Sequence, residues 1–196
     1  MMKKIIALTM CLTMLLACTA IAETANAEKD SMGVLNVNGA FELKCALPEG
    51  YALDIIYGDG GNMIANISAN DVARPTMILS LAFNDSYADV ERLNDLDADT
   101  HNAIMNTFME EDEVEISTMT TAYGTELFVI KEIKDTVEYV DFYTIYKGYE
   151  IEMVLNHIGG FDPTANEMPE IIPVTDEEIQ LAIQFLSDLD FVAVVE

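Results

Sequence analysis

The sequence has few basic residues. Its 196 residues include 9 Lys and Arg but 35 Asp and Glu, which gives a formal net charge of −26. Proteins that bind nucleic acid need clustered Lys and Arg to contact phosphate groups, and attraction to anionic lipid headgroups needs them as well. The shortage of cations therefore argues against nucleic acid and against an anionic membrane surface as partners.

Residues that commonly carry catalysis are also scarce. The chain has two histidines, His101 and His157, and it lacks the serine elbow of lipases, the HExxH helix of zinc proteases, the phosphate-binding glycine loops and the CxxC pair. Cys11 and Cys18 lie in the N-terminal apolar region, so Cys45 alone remains and no intramolecular disulfide is expected. These absences favour a protein that is not an enzyme. A hydrolase with an unrecognised site is the alternative.

No stretch reaches the roughly 20 apolar residues of a membrane-spanning helix. Lys3 and Lys4 precede the mostly apolar residues 5–17, and Ala25-Asn26-Ala27 fits a cleavage site before Glu28. This order is typical of a secretory signal peptide. We therefore predict a signal peptide over residues 1–27, a flexible leader over residues 28–38, and a single α+β domain over residues 39–196 in a secreted protein.

Two other cleavage sites fit the same region. Ala20-Ile21-Ala22 could be cut before Glu23, and Leu15-Leu16-Ala17-Cys18 resembles a bacterial lipobox. On the lipobox interpretation, Cys18 becomes the lipid-modified first residue and anchors the protein to a membrane. Secretion and lipid anchoring therefore stand as alternatives.

Alternation of apolar and polar residues predicts a sheet. Strands are expected at residues 39–47, 51–57, 62–68 and 76–83, the last covered on both faces. Four further strands, between residues 113 and 155, form a meander of sequence neighbours with a two-residue turn at Lys147-Gly148. On the last of these strands Glu150 and Glu152 face away from Tyr149 and Ile151, which indicates one wet and one buried face.

Helical spacing appears between and after these strands. A start resembling a capping box is present at Ser86, a second helix is expected over residues 97–109, and Thr175 with Glu178 forms a full capping box for a third. Residues 191–195 are expected to form a short closing strand or an apolar tail. The predicted class is α+β: an α/β sandwich with a mostly antiparallel sheet of about seven to nine strands and about three helices.

This pattern resembles the PsbP-like α/β sandwich. The resemblance rests on FELKCALPEGYAL from Phe41, PTMILSLAF from Pro75, the meander from Gly124 and TDEEIQLAIQFLSDLDF from Thr175. The sequence is also similar to small exported proteins of Gram-positive gut bacteria. The resemblance implies the fold of that group and its mostly non-catalytic accessory or binding roles, but it carries over no functional residue.

A candidate metal site comes from carboxylates at alternate positions. Asp95, Asp97 and Asp99 resemble the opening of a calcium-binding loop. Thr100 and Asn106 stand where an EF-hand has Gly and Glu, so the full pattern is not met. Solvated acidic residues that join two helices are the alternative interpretation. Calcium is the cofactor that these residues could hold; no other cofactor is indicated.

A candidate partner surface comes from tyrosines on the meander. Tyr139, Tyr143, Tyr146 and Tyr149 could form an aromatic recognition patch, or they could pack in the core. Cys45, on an apolar strand face, is interpreted as a buried small hydrophobic residue. The sequence as a whole predicts an exported, non-enzymatic binding or accessory module that recognises a cell-envelope or extracellular protein. A calcium-binding extracellular domain is a further alternative.

We expect the mature chain to begin at Glu28. N-terminal sequencing and the intact mass of the exported protein would check this, because signal peptidase cleavage leaves an unmodified amine. A chain that begins at lipid-modified Cys18 would support the anchored alternative. A chain that begins at Met1 would contradict both routes.

Overall fold

The computed structural model describes residues 33–37, 41–59, 62–69, 71, 73–109, 114–122, 124–134, 137–157 and 172–193. The predicted signal peptide and Cys18 lie outside these residues. No helix in the described ranges is both long enough and apolar enough to cross a membrane.

The described ranges contain ten strands and two α-helices. The strands are β1 (Gly33–Val37), β2 (Phe41–Cys45), β3 (Tyr51–Asp59), β4 (Asn62–Ala69), β5 (Thr76–Phe83), β6 (Glu115–Thr120), β7 (Glu126–Lys134), β8 (Val137–Tyr146), β9 (Tyr149–Asn156) and β10 (Asp190–Ala193). The helices are α1 (Ala98–Phe108) and α2 (Asp176–Asp188). The predicted α+β class is confirmed at this level.

Seven strands form one antiparallel sheet in the order β3-β4-β5-β9-β8-β7-β6. β3, β4 and β5 pair in sequence order at one end of the sheet. β6, β7, β8 and β9 do so at the other end, which confirms the predicted meander β6-β7-β8-β9. The two halves meet where β5 pairs with β9, from Thr76 opposite Asn156 to Phe83 opposite Tyr149. This contact was not predicted, because it joins strands that are distant in the sequence.

The remaining strands form a second antiparallel sheet in the order β1-β2-β10. Five residues of β1 pair with β2, from Gly33 opposite Cys45 to Val37 opposite Phe41. The structure therefore differs from the expected flexible leader over residues 28–38, because part of that segment is a strand. β10, from the C-terminal end, pairs with the other edge of β2 and confirms the predicted closing strand.

The larger hydrophobic core lies on the first face of the seven-stranded sheet. Met77, Leu79 and Leu81 of β5 are at most 1% exposed and point into it. The apolar side of α2, including Ile179 and Phe185, packs on the same core, and so does Cys45 of β2. The two sheets and α2 therefore share one apolar interior.

The smaller core lies on the second face, over β7 and β8. Its buried residues are Leu93, Phe128, Ile130, Tyr143 and Ile145. Ile104, Met105 and Phe108 of α1 pack against it, as do Val114, just before β6, and Ile116 of β6. Each helix thus covers a different face of the sheet.

The helix predicted to begin at Ser86 is absent, and that prediction is wrong. The segment instead forms two 3-10 turns, Asp85–Tyr87 and Leu93–Asp95. The backbone amides of the β8–β9 turn donate to the carbonyls of Val90 and Glu91, each at 2.9 Å. Carbonyls bonded to a neighbouring hairpin do not build an intrahelical ladder. The described ranges therefore contain two α-helices, where about three were expected.

The β8–β9 turn itself is formed as predicted. Lys147 and Gly148 have φ angles of 52° and 79°, and a type I′ turn requires positive φ at both positions. A Cβ atom at Gly148 would lie 3.1 Å from the Phe83 ring and 3.3 Å from Cα of Ala88. Glycine is therefore needed here both for the backbone conformation and for the close approach of residues 84–92.

The capping box of α2 is confirmed. The Glu178 amide donates to Oγ1 of Thr175 at 3.3 Å, and the Thr175 amide donates to Oε2 of Glu178 at 2.8 Å. Val174, just before the cap, is buried with Ile179 in the larger core. Two otherwise unsatisfied amides are bonded in this way, and apolar residues on both sides of the cap are buried in the same core.

We expect Thr175→Ala to lower the free energy of unfolding by about 1 kcal/mol, since it removes the N-cap acceptor. The melting temperature should fall by roughly 2–4 °C. Ser86→Ala is a matched control because Ser86 begins a similar sequence pattern but caps no α-helix, so its effect should stay within about 0.5 kcal/mol. Thermal denaturation followed by circular dichroism measures both, and equal losses would contradict the assignment.

Candidate functional site

Among the residues that the structure describes, part of the second face of the large sheet lies outside both cores. Directly paired residues of an antiparallel sheet project from the same face, and the register defines two rows across the strands. The first row runs from Asp54 through Asn66 and Ile78 to Val154, and the second runs from Tyr57 through Ile64 and Ser80 to Glu152. These eight residues of β3, β4, β5 and β9 are called the open face here.

The apolar members of the open face are incompletely buried. Ile64, Ile78 and Val154 belong to neither core and are partly exposed, and Tyr57 is 43% exposed. β5 is a central strand of the sheet, as expected, but this face of it is only partly covered in the described part of the chain. A cluster of partly exposed apolar side chains on a sheet is a feature of interaction surfaces.

Two carboxylates of β9 project from the second face, and one of them, Glu152, belongs to the open face. The Tyr143 hydroxyl donates to Oε1 of Glu150 at 2.8 Å, and Nδ2 of Asn84 donates to Oε2 of the same residue at 2.8 Å. Glu152, two positions along β9, projects from the same face, between Ser80 of β5 and Tyr143 of β8. Glu150 therefore ties the smaller core to the segment that follows β5, and Glu152 lies where this polar group meets the open face.

The surroundings of Glu152 change the pKa of its carboxyl group. Burial, followed by the negative charge of Glu150, raises the pKa of Glu152 above its usual value. Burial and the charge of Glu150 also raise the pKa values of Tyr143 and Tyr87. Both tyrosines therefore stay protonated, and Tyr143 remains a hydrogen-bond donor to Glu150. A charged Glu152 is held at a cost in stability.

The strands of the open face carry no positive charge. Residues 51–69, 76–83 and 149–156 contain neither Lys nor Arg, while Asp54, Glu150 and Glu152 project from the second face. Because opposite charges are missing from these strands, the carboxylates give this region a negative potential.

The four tyrosines of the predicted patch do not lie together. Tyr143 is buried in the smaller core on the second face, and Tyr149 is buried in the larger core on the first. Tyr146 packs on the larger core, opposite Tyr149, whereas Tyr139 shares the face of Tyr143. The core-packing alternative describes Tyr143 and Tyr149, and the four rings do not make one continuous surface.

The predicted metal ligands lie at the start of α1. Asp97 is the N-cap: its Oδ1 accepts from the amides of Asp99 and Thr100, each at 3.0 Å, and its Oδ2 accepts from the Thr100 hydroxyl at 2.7 Å. These bonds lower the pKa of Asp97. Asp95 ends a 3-10 turn. Among the described residues no group of three or more His, Cys, Asp or Glu could hold a metal ion, so calcium binding here stays a prediction.

Both histidines pair with glutamates. His101 of α1 contacts Glu126 of β7 at 2.6 Å, and His157, after β9, contacts Glu178 of α2 at 3.1 Å. One such pair thus links each helix to the large sheet. Cys45 is buried, and burial raises its pKa to about 11, so its thiol is not activated as a nucleophile.

The sequence reasoning missed the open face as a site. Its signal was present in neighbouring apolar residues, Ile64 with Ala65 and Ile78 with Leu79, which place apolar side chains on both faces of a strand. Such a strand is typically covered on both sides, and pairing partners were needed to show that one side is not. No family model and no curated protein matches this sequence.

We expect Glu152→Gln to stabilise the protein at neutral pH by about 1 kcal/mol, or roughly 2–4 °C in melting temperature. The pKa of Glu152 is raised on folding, so its favourable contribution is complete below its usual pKa and is lost as the pH rises through the raised value. The gain of the variant should therefore appear on going from acid to neutral pH.

Thermal melts across this pH range measure the effect. Glu91→Gln is the control, because it removes the same charge from an exposed side chain. If the two variants gained equally, general charge repulsion would explain the result and the local cause would be wrong.

Proposed function

We propose that this chain is an exported, non-enzymatic binding or accessory module that recognises a partner protein through the open face. The observation that carries the proposal is the incomplete covering of that face in the described structure, where Ile64, Ile78 and Val154 are partly exposed beside Glu152. Removing such apolar side chains from water on association is favourable in proportion to the area buried.

The dimensions of the open face suit a protein partner. Its two rows cross β3, β4, β5 and β9, and four strands at their usual spacing extend over about 15–20 Å. Residue Ile56 causes a shift of register where β3 pairs with β4. A bulge at an edge strand discourages the addition of another strand. We therefore favour docking on the face over extension of the sheet at β3.

Several groups that catalysis could use are already engaged. Both oxygens of Glu150 accept hydrogen bonds, both histidines pair with glutamates, and the Cys45 thiol has a raised pKa. A hydrolase that uses Glu150 and Glu152 is the second candidate. It is favoured by the raised pKa of Glu152, since perturbed carboxyl groups are common at active sites.

The proposal also includes the location of the protein and its type of fold. The predicted signal peptide, or lipid modification at Cys18, supports a location in the cell envelope or outside the cell. An α/β sandwich of the PsbP-like type is supported by the antiparallel sheet with one helix on each face. The mostly accessory roles of that fold group agree with a binding module.

Site-specific photo-crosslinking tests the recognition surface. We expect a photo-reactive aromatic amino acid in place of Ile78 to give a discrete adduct when cells that produce the protein are irradiated, because a bound partner would cover this position. The same amino acid in place of Asn102, which is exposed on α1, is the control and should give no such adduct. The same adducts from both positions would show that contact is not localised to the open face.

A further inference from the structure

Resting on the proposed function, we infer that the open face binds a cationic amphipathic segment of its partner, in which Lys or Arg side chains accompany apolar ones. The juxtaposition that defines this partner is an apolar centre, made by Ile64, Ile78 and Val154, with Asp54 at one end of the rows and Glu152 at the other. Both features must be matched by one ligand.

The charge of the face selects cations. The four strands that build it contain no Lys and no Arg, and the second face carries Asp54, Glu150 and Glu152. Glu152 is also partly desolvated, which raises the energy of its charged form. A cation placed beside it offsets that energy more than it would beside a fully solvated carboxylate.

The apolar centre selects against a purely ionic ligand. Ile64, Ile78 and Val154 lie on three adjacent strands, with Asn66 and Ser80 between them. A segment of Lys and Arg alone would leave these side chains in contact with water. Apolar residues of the partner are needed to bury them, and they supply the affinity that exposed ion pairs do not.

Charge also argues against the other occupants of such a face. A second copy of this chain brings a net charge of −26 and the same carboxylates toward those already present. Anionic lipid surfaces and nucleic acids are repelled for the same reason. A basic segment of another protein is the occupant that complements the face in both polarity and charge.

The experiment uses the purified chain and a fluorescein-labelled peptide in which Lys and Val alternate. Fluorescence anisotropy should show saturable binding that weakens at high salt, because rising ionic strength screens the carboxylates. A peptide that alternates Glu and Val, and one that alternates Lys and Ser, should each bind at least about tenfold more weakly. These two peptides test the charge and the apolar requirement separately.

Variants locate the binding. Ile78→Ser should weaken binding of the Lys and Val peptide by about tenfold or more, and Glu152→Gln should weaken it while reducing its dependence on salt. Ile133→Ser is the matched control, because Ile133 is an apolar residue of β7 that is 61% exposed and lies outside the open face. Tyr57→Ser, at a position that is 43% exposed, provides a second variant if Ile78→Ser does not fold.

The outcomes separate the inference from the proposed function. Equal binding by Ile78→Ser and Ile133→Ser, or equal binding of the Lys and Ser peptide, would overturn the inference, since both indicate diffuse attraction to an acidic protein. A localised adduct at position 78 without binding of the Lys and Val peptide would leave the open face as a recognition surface but refute its cationic ligand. If sedimentation experiments showed a dimer that Ile78→Ser abolishes, the inference would be refuted, and a second copy of this chain would be the ligand of the open face.

Discussion

The pairing of β5 with β9 is the contact on which the rest of the structure depends. It joins the N-terminal strands β3-β4-β5 to the meander β9-β8-β7-β6, and its eight residue pairs run without a break. Closing the long loop between these strands costs chain entropy, which the buried side chains of Leu79 and Met153 help to offset. Without this ladder neither the larger core nor the open face would exist.

The open face follows from an unequal covering of the two sides of this sheet. An α-helix of 11 residues, the length of α1, extends over about 16 Å, so it can cover only a few strands at a spacing of about 4.8 Å. Its packing reaches Phe128 and Ile130 of β7 and Tyr143 of β8. The segment before it forms 3-10 turns bonded to the β8–β9 turn and supplies no second helix for the remaining strands.

Sequence patterns predicted correctly those elements that depend on residues close together in the chain. The capping box of Thr175 and Glu178, the alternation along β9 and the Lys147-Gly148 turn all depend on residues close in sequence, and all three were predicted correctly. Ser86 looked similar to a helix cap, but bonds to the distant β8–β9 turn decide its conformation. The separation of Tyr143 from Tyr149 is likewise fixed by register rather than by composition. The open face is defined by the pairing of strands that are distant in the sequence, so local sequence patterns did not predict it.

Glu152 connects the stability of this fold with its proposed role. A carboxylate that burial and a neighbouring charge make harder to ionise is a local violation of what a stable fold prefers, and such violations concentrate at functional sites. Glu150 next to it is held by Tyr143 and Asn84, so its charge already serves the packing of the smaller core. Glu152 is therefore the carboxylate of the pair whose unfavourable ionisation is not offset by a stabilising contact within β8 and β9. A cationic partner that lowers this cost on binding would give the residue a purpose at the edge of the open face.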